Sequence, residues 1–467
     1  MGESQDIMSS DTPLSPQPGG PSPRANLKRS ITLTHLVGIE IGQSIGAGIF
    51  ALTGLALART GPSIFLAFIA AAVPVGLAMA VLGMIGSGMP ISGGTYYYGS
   101  RYFSPVASFA GVWAYLLGAV LGMFPLYALT GAGFLRAAFP ALPEIPTALA
   151  LLFVFYLANL LGARIAMWAQ AVMVAVLLAA LVVFLGFGFP RISAGNLFPL
   201  FPGGAGGFAV ASAMLTFTIL GANAAVELGD EIRAPRRNIP LSFAISIPVV
   251  VVLYVAIGLV AAGVAPWGGL ETSLAGIAAT FMGRVPFMFF LIGGGFLAVV
   301  TTLNATYLWG TKSLIVITED GLLPGAFAAV NRRFGTPHWL LTFIFLVSAV
   351  SLVVAGTRVE TFAIFASLGG IIIFVPVMAA ALRLPRRHPE VIARSALPLR
   401  GVFAIAAPVG GLLLCLLTVG VLLVDLASRD NGWLFLGIFV VWVAGGAVYA
   451  ALRIRRLGSQ FMSRTSG

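Results

Sequence analysis

Along most of the chain, runs of about 20 largely apolar residues alternate with short loops rich in Pro, Gly and Arg. At 1.5 Å of rise per residue, a helix of that length crosses the roughly 30 Å hydrocarbon core of a bilayer. Twelve such runs can be delimited, near residues 33–58, 62–87, 104–137, 145–163, 167–189, 207–229, 241–265, 285–318, 338–356, 360–382, 402–426 and 433–452. A helix satisfies its own backbone polar groups where water is absent, so the pattern predicts an all-α polytopic membrane protein with 12 transmembrane helices. Residues 1–30 are rich in Ser, Pro, Gly and Asp and predict a disordered cytoplasmic tail; residues 457–467 predict a shorter one.

Composition agrees with the pattern. Hydrophobic residues make up 59% of the chain and charged residues 9%, and the mean hydropathy is +1.02. The net charge of +11 acquires a meaning once the loops are assigned alternately to two sides, because the 26 basic residues then divide 20 to 6. The richer side includes Arg24, Arg101, Arg164 and Arg233; the sparse side holds Arg59, Arg136, Arg191, Arg284, Arg358 and Arg429. By the positive-inside rule both termini are expected in the cytoplasm, with the chain in the plasma (inner) membrane. The excess charge is thereby explained by anionic lipid headgroups, and no nucleic-acid partner is implied. The single Cys415 cannot form an internal disulfide, and the three histidines have no metal-ligand spacing. No metal, cofactor or enzymatic chemistry is indicated.

Polar interruptions in the apolar runs carry the functional signal. The first run contains Glu40, Gln43, Gly46 and Gly48. Glycine costs roughly 1 kcal/mol relative to alanine in a helix interior, and a helix that breaks in lipid must find partners for the freed backbone. A second cluster, Pro90 to Gly99, follows the second run. A third extends from Phe217 through Gly221, Asn223 and Glu227 to Pro240, and a fourth from Thr301 through Asn304 to Pro324.

These clusters, in this order, resemble the amino acid/polyamine/organocation (APC) superfamily, specifically its amino acid permeases. The resemblance rests on Ile45 to Phe50, Pro90 to Tyr98, Glu231 to Pro240 and Asp320 to Pro324, and spans the first eight helices. It implies a LeuT-type 5+5 inverted repeat with helices 1 and 6 interrupted. Residues 31–200 would form the first repeat (helices 1–5), 201–390 the second (helices 6–10), and 391–456 helices 11–12. The glycines agree independently, since Gly46 to Gly48 and Leu220-Gly221 fall in the first helix of each half.

A broken first helix would expose the N–H groups of Ala47, Gly48 and Ile49, next to Ile45 and Gly46, at the positive end of a half-helix dipole. An anion suits that position. A break in the sixth helix would leave the carbonyls of Phe217, Thr218 and Leu220, around Gly221, for an ammonium group. One zwitterionic amino acid satisfies both sites, and alternating access follows from the resemblance. On this reading Gly48→Ala should block a carboxylate from the backbone; the competing reading is that Gly46 and Gly48 only allow close helix packing. The resemblance assigns Phe217 as the aromatic cover of the substrate, and Phe124, Tyr127, Leu220 and Ala222 are candidates for its side-chain pocket. A polyamine or organic cation is the alternative substrate; Asn223 argues against it, since cation-handling relatives often place an acid nearby. A transporter-like receptor or channel is the rival from another class.

Glu40, and to a lesser degree Glu227, are candidate coupling groups, since a carboxylate at a span centre costs at least about 2.5 kcal/mol and often marks an ion path. Gln43, Thr301, Thr302 and Asn304 complete the coupling candidates, with H+ preferred to Na+ as the ion because no carboxylate accompanies the helix 8 hydroxyls. Proton-coupled members of the resembled family carry a lysine on helix 5 where this chain has Leu177. The chain is therefore an exchanger or facilitator, or couples through another group such as Glu40. At the cytoplasmic end, Asp230 and Glu231 are expected to pair with Arg101 or Arg333 as an inner gate.

Overall fold

A computed structural model describes residues 29–162, 167–268, 273–309, 312–329, 331, 334, 336–397 and 401–461. The expected tails up to residue 28 and from 462, and Arg333, lie outside the described residues. Helices dominate, and the only β pairing among the described residues is two isolated bridges, Ile31 with Ile232 and Ser92 with Leu228.

The first apolar run is two helices, α1 (Leu33–Ser44) and α2 (Ala47–Thr60). Thr32 caps α1 by accepting from the His35 N–H, and the chain leaves helical geometry at Gly46 (ψ −158°). After a turn at Gly61–Ser63 come α3 (Ile64–Gly88) and the short α4 (Gly94–Tyr102). The third run is α5 (Pro105–Gly118) and α6 (Phe124–Ala138), joined by a π-helical turn at Ala119–Met123. Then follow α7 (Glu144–Leu160) and α8 (Met167–Gly188).

The sixth run comprises α9 (Gly204–Ile219), a 3₁₀ turn at Leu220–Asn223, and one turn of helix, α10 (Ala224–Glu227). Next are α11 (Pro235–Gly263) and α12 (Leu274–Ala279). The eighth run contains α13 (Arg284–Phe289), a π-helical stretch at Phe290–Phe296, α14 (Leu297–Trp309) and α15 (Lys312–Glu319). The remainder is α16 (His338–Ala355), α17 (Val359–Ile372), α18 (Val375–Arg387), α19 (Pro389–Arg394), α20 (Phe403–Ala427) and α21 (Gly432–Leu457).

Ten segments among the described residues are long and apolar enough to cross a membrane, by length and composition. Twelve were expected. One of the ten, Ala47–Gly88, is 42 residues long and contains the turn at Gly61–Ser63, while the apolar α7 is 17 residues long. The exposed surface carries Val182, Val252, Val354, Val424 and Val441, an apolar exterior suited to lipid.

Inside, small residues bring helices together. A Cβ built on Gly118 of α5 would lie 2.7 Å from the Gly369 Cα of α17, so the two backbones touch. Close backbone approach of this kind is how helices gain packing energy where the hydrophobic effect supplies none. The loops also refine the charge asymmetry. Of the six basic residues on the sparse side, Arg59 binds Glu360 at 2.8 Å, Arg429 binds Glu360 and Asp425, and Arg136 binds Glu144. Half of that side's positive charge is therefore neutralised by carboxylates.

Candidate functional site

The two interrupted helices meet. A Cβ on Gly221, in the 3₁₀ turn after α9, would fall within 3 Å of the Gln43 and Ser44 backbone at the end of α1. Only a residue without a side chain permits that approach. The Tyr254 hydroxyl of α11 lies beside the same junction, donating to the carbonyls of Ser44 and Thr218.

Beside this crossing lies a cavity of about 50 Å³. Gly42 and Gln43 line it from α1, Phe217 from α9, and Leu220, Gly221 and Asn223 from the 3₁₀ turn. Thr301, Thr302, Ala305 and Thr306 line it from α14, and Tyr115, Met123 and Tyr127 from the third run. Gly370, Ile373 and Phe374, where α17 passes into α18, complete the wall. Phe217 stacks on Tyr127 with ring centroids 6.1 Å apart. Among the described residues, no acidic or basic side chain contributes to this lining.

Two oxygens set the chemistry. Asn223 Oδ1 and Gln43 Oε1 are buried without a hydrogen-bond partner, and an orphaned buried acceptor costs on the order of 1–3 kcal/mol. Both residues line the cavity, so a donor arriving there recovers that energy.

The backbone groups differ from the expectation. The Ala47 N–H donates to Thr302 Oγ1 at 3.0 Å, so one of the amides expected to face an anion already has a partner. The Phe217 carbonyl accepts from the Leu220 N–H and the Thr218 carbonyl from Tyr254, so the helix 6 carbonyls are less open than expected. Ile45 to Ile49 are buried next to the cavity and do not line it. A Cβ on Gly48 would point at Thr218 and Phe217, 3.6 to 3.8 Å away, rather than into the cavity.

The amino acid permease family matches residues 31–445. This chain belongs to it. The permease is similar to the methylthioribose transporter of Bacillus subtilis, 26% identical over 92% of this chain and 94% of that protein. It is similar to the branched-chain amino acid permease BcaP of the same organism, 25% identical over the same two shares. It also resembles cationic amino acid transporter 2, vacuolar, of Arabidopsis thaliana, 28% identical over 68% of this chain and 54% of that protein.

In this permease neither Glu40 nor Glu227 lines the cavity. Glu40 is fully buried and accepts from Ser242 Oγ at 2.7 Å and Ser246 Oγ at 2.6 Å, both on α11. Glu227 accepts from the Thr95 N–H at 3.4 Å, and its carbonyl from the Gly93 N–H, which places it over the N-terminus of α4. Asn304 faces α7, where Asn159 Nδ2 donates to it at 3.3 Å. Leu177 is fully buried in α8.

At the cytoplasmic end, Arg101 pairs with a carboxylate other than Asp230 or Glu231, and Arg333 lies outside the described residues. Arg101 makes a bidentate pair with Asp320, both contacts at 2.8 Å, and Tyr96 Oη donates to the same carboxylate at 2.8 Å. Asp230 instead accepts from the Ser92 N–H at 3.0 Å, and the Glu231 carbonyl accepts from the Ser30 and Ile31 N–H groups. The physical reason is proximity: Asp230 follows a bridge that fixes it against the Ser92 turn, whereas the bidentate fork of Arg101 meets Asp320 beyond the end of α15. Sequence reasoning included Asp320 in a motif without assigning its partner. It also missed Tyr115, Met123, Gly370, Ile373 and Phe374, which lie far apart in sequence and look like ordinary core.

Proposed function

We propose that this permease is a secondary active transporter of amino acids, with the substrate bound between the two interrupted helices and released by alternating access. The observation that carries this reading is the pair of unpartnered acceptors, Asn223 Oδ1 and Gln43 Oε1, in a cavity bordered by both breaks. They suit the ammonium of the substrate. The carboxylate is assigned to the start of α2, where the unmet N–H groups of a helix N-terminus attract an anion. Thr302, which holds the Ala47 N–H, is the group a carboxylate would displace.

The proposal includes twelve spans. Ala47–Gly88 would be 63 Å long if straight, about twice the bilayer core, so its turn divides two crossings. Adding α7 gives twelve, the first crossing being α1 with α2. Helices 1–5 and 6–10 then place a break in the first helix of each half, as an inverted repeat does. The basic loops put both termini in the cytoplasm of a plasma-membrane protein. Coupling is assigned to H+ through Glu40, which sits on α1 before the break, with the hydroxyls of Ser242 and Ser246 as its hydrogen-bond partners among the described residues. Sodium is less well supported, since Thr301 and Thr302 lack a neighbouring carboxylate in the cavity wall.

An organic cation would require a negative charge that the lining lacks. A thiosugar is a second reading, favoured by uncharged hydroxyl and amide groups in the wall and by the likeness to a methylthioribose transporter. Uptake into proteoliposomes decides among these, using labelled amino acids, polyamines and methylthioribose with an imposed H+ gradient, an imposed Na+ gradient, or internal amino acid. Saturable amino acid uptake driven by external acid, with the drive lost in Glu40→Gln, is expected. Uptake of methylthioribose or amines alone, or flux that never saturates, overturns the proposal.

A further inference from the structure

We infer that the cavity selects neutral amino acids with apolar side chains, and that Gly370 sets how large a side chain it admits; this rests on the amino acid reading above. The lining separates into two groups by its contacts. Gln43 and Gly221 lie together at the crossing of the broken helices, with Thr302 against the start of α2. These groups face the backbone end of a substrate.

Leu220 and Phe217 lie over Gly370. A Cβ on Gly370 would collide with Leu220 Cδ1 and stand 3.5 Å from Phe217 Cδ2. Leu220 therefore occupies room that exists only because position 370 has no side chain. Ile373 and Phe374 continue this surface toward α18, and none of these five residues offers a polar side chain.

The absence of charge in the wall carries the selectivity. A zwitterion brings one ammonium and one carboxylate, which the orphaned amide oxygens and a helix N-terminus can meet. A lysine or arginine side chain brings a second cation into the same enclosed space. An isolated buried charge costs far more than a hydrogen bond unless it is paired. The nearest carboxylates on the cavity-forming helices have other partners, Glu40 in Ser242 and Ser246 and Glu227 in the α4 N-terminus. Anionic side chains fail in the same way, since no basic residue among the described ones lines the wall.

The size limit follows from the same contacts. One methylene in an apolar pocket changes discrimination by about 10–200-fold. Gly370→Val displaces the Leu220 side chain from that room and narrows the pocket, and Leu220→Ala widens it. Both changes act on the side-chain end and leave Gln43 and Asn223 intact.

The test is kcat/KM for uptake of alanine, valine, leucine, phenylalanine, lysine, arginine and glutamate by the wild-type protein, Gly370→Val and Leu220→Ala. Leucine, valine or phenylalanine should exceed lysine, arginine and glutamate by at least about 100-fold. Gly370→Val should lower the leucine-to-alanine ratio at least about tenfold, and Leu220→Ala should raise the phenylalanine-to-leucine ratio by a similar factor. Lysine or arginine transported as well as leucine overturns the selectivity and leaves amino acid transport standing. Unchanged ratios in both variants overturn the role of Gly370. Failure of every amino acid in the panel overturns the amino acid reading itself.

Discussion

The breaks in the first and sixth helices occupy matching places in the chain and differ in kind. In the first, Gly46 leaves helical geometry altogether, α1 ends, and α2 starts again with amides that have no partner in their own helix. In the sixth, Ile219, Leu220, Asn223 and Ala224 all keep right-handed helical torsions, and the helix only tightens. Its hydrogen bonds shorten to i→i−3, as in Leu220 N–H to the Phe217 carbonyl and Ala224 N–H to the Gly221 carbonyl. A true break frees backbone donors, whereas a tightened turn keeps most of its carbonyls in partnership. The anion site can therefore be made of backbone, while the cation site must rely on side chains, Asn223 and Gln43.

This comparison depends first on the crossing. At Gly221 the atoms that an added Cβ would meet are backbone of α1, including Ser44 Cα at 2.8 Å, so no side-chain rotation relieves the clash. Overpacking typically costs 1–3 kcal/mol, and a rigid neighbour puts Gly221→Ala near about 3 kcal/mol. We expect loss of uptake and the largest fall in thermal stability of the glycine variants in detergent. A variant that transports normally would mean that the two breaks do not need to touch.

The next effect separates the two kinds of break. Thr302→Val keeps the shape and removes the acceptor of the Ala47 N–H, leaving a buried donor unmet at a cost of about 2 kcal/mol. Helix 1 should be loosened selectively, seen as faster amide exchange at residues 45–50 than in the wild-type protein. Residues 217–224, whose carbonyls bond locally, should exchange at their former rate. Equal loosening of both segments would show that the breaks behave as one unit.

The positions of both breaks were legible in the sequence because glycine and polar residues are expensive in an apolar helix, and the same rule located Glu40 and Glu227. Their difference in kind was not legible, since Gly46 and Gly221 look alike until the packing of Thr302 and the α1 backbone is known. Partners distant in sequence were hidden for the same reason. Ser242 and Ser246 stand more than 200 residues from Glu40, and Asp320 stands 219 from Arg101. Helix extents fared better: α16 and α20 lie within about a residue of the expected ends, because length and hydropathy alone fix them.

Gly48 sharpens the anion site by the smallest change. From sequence, an added methyl group should block the carboxylate. In the fold its Cβ turns toward Thr218 and Phe217 at ordinary contact distance, and alanine is the better helix former by roughly 1 kcal/mol. Gly48→Ala should therefore leave stability within about 1 kcal/mol of wild type, and substrate affinity within about threefold. Binding is measured by scintillation proximity on the purified protein, so that folding and affinity are read separately. If affinity instead falls by more than tenfold with stability intact, the carboxylate approaches α2 from the Phe217 side. The anion would then sit between the two breaks, and Thr302 would be a packing partner of helix 1 with no part in substrate entry.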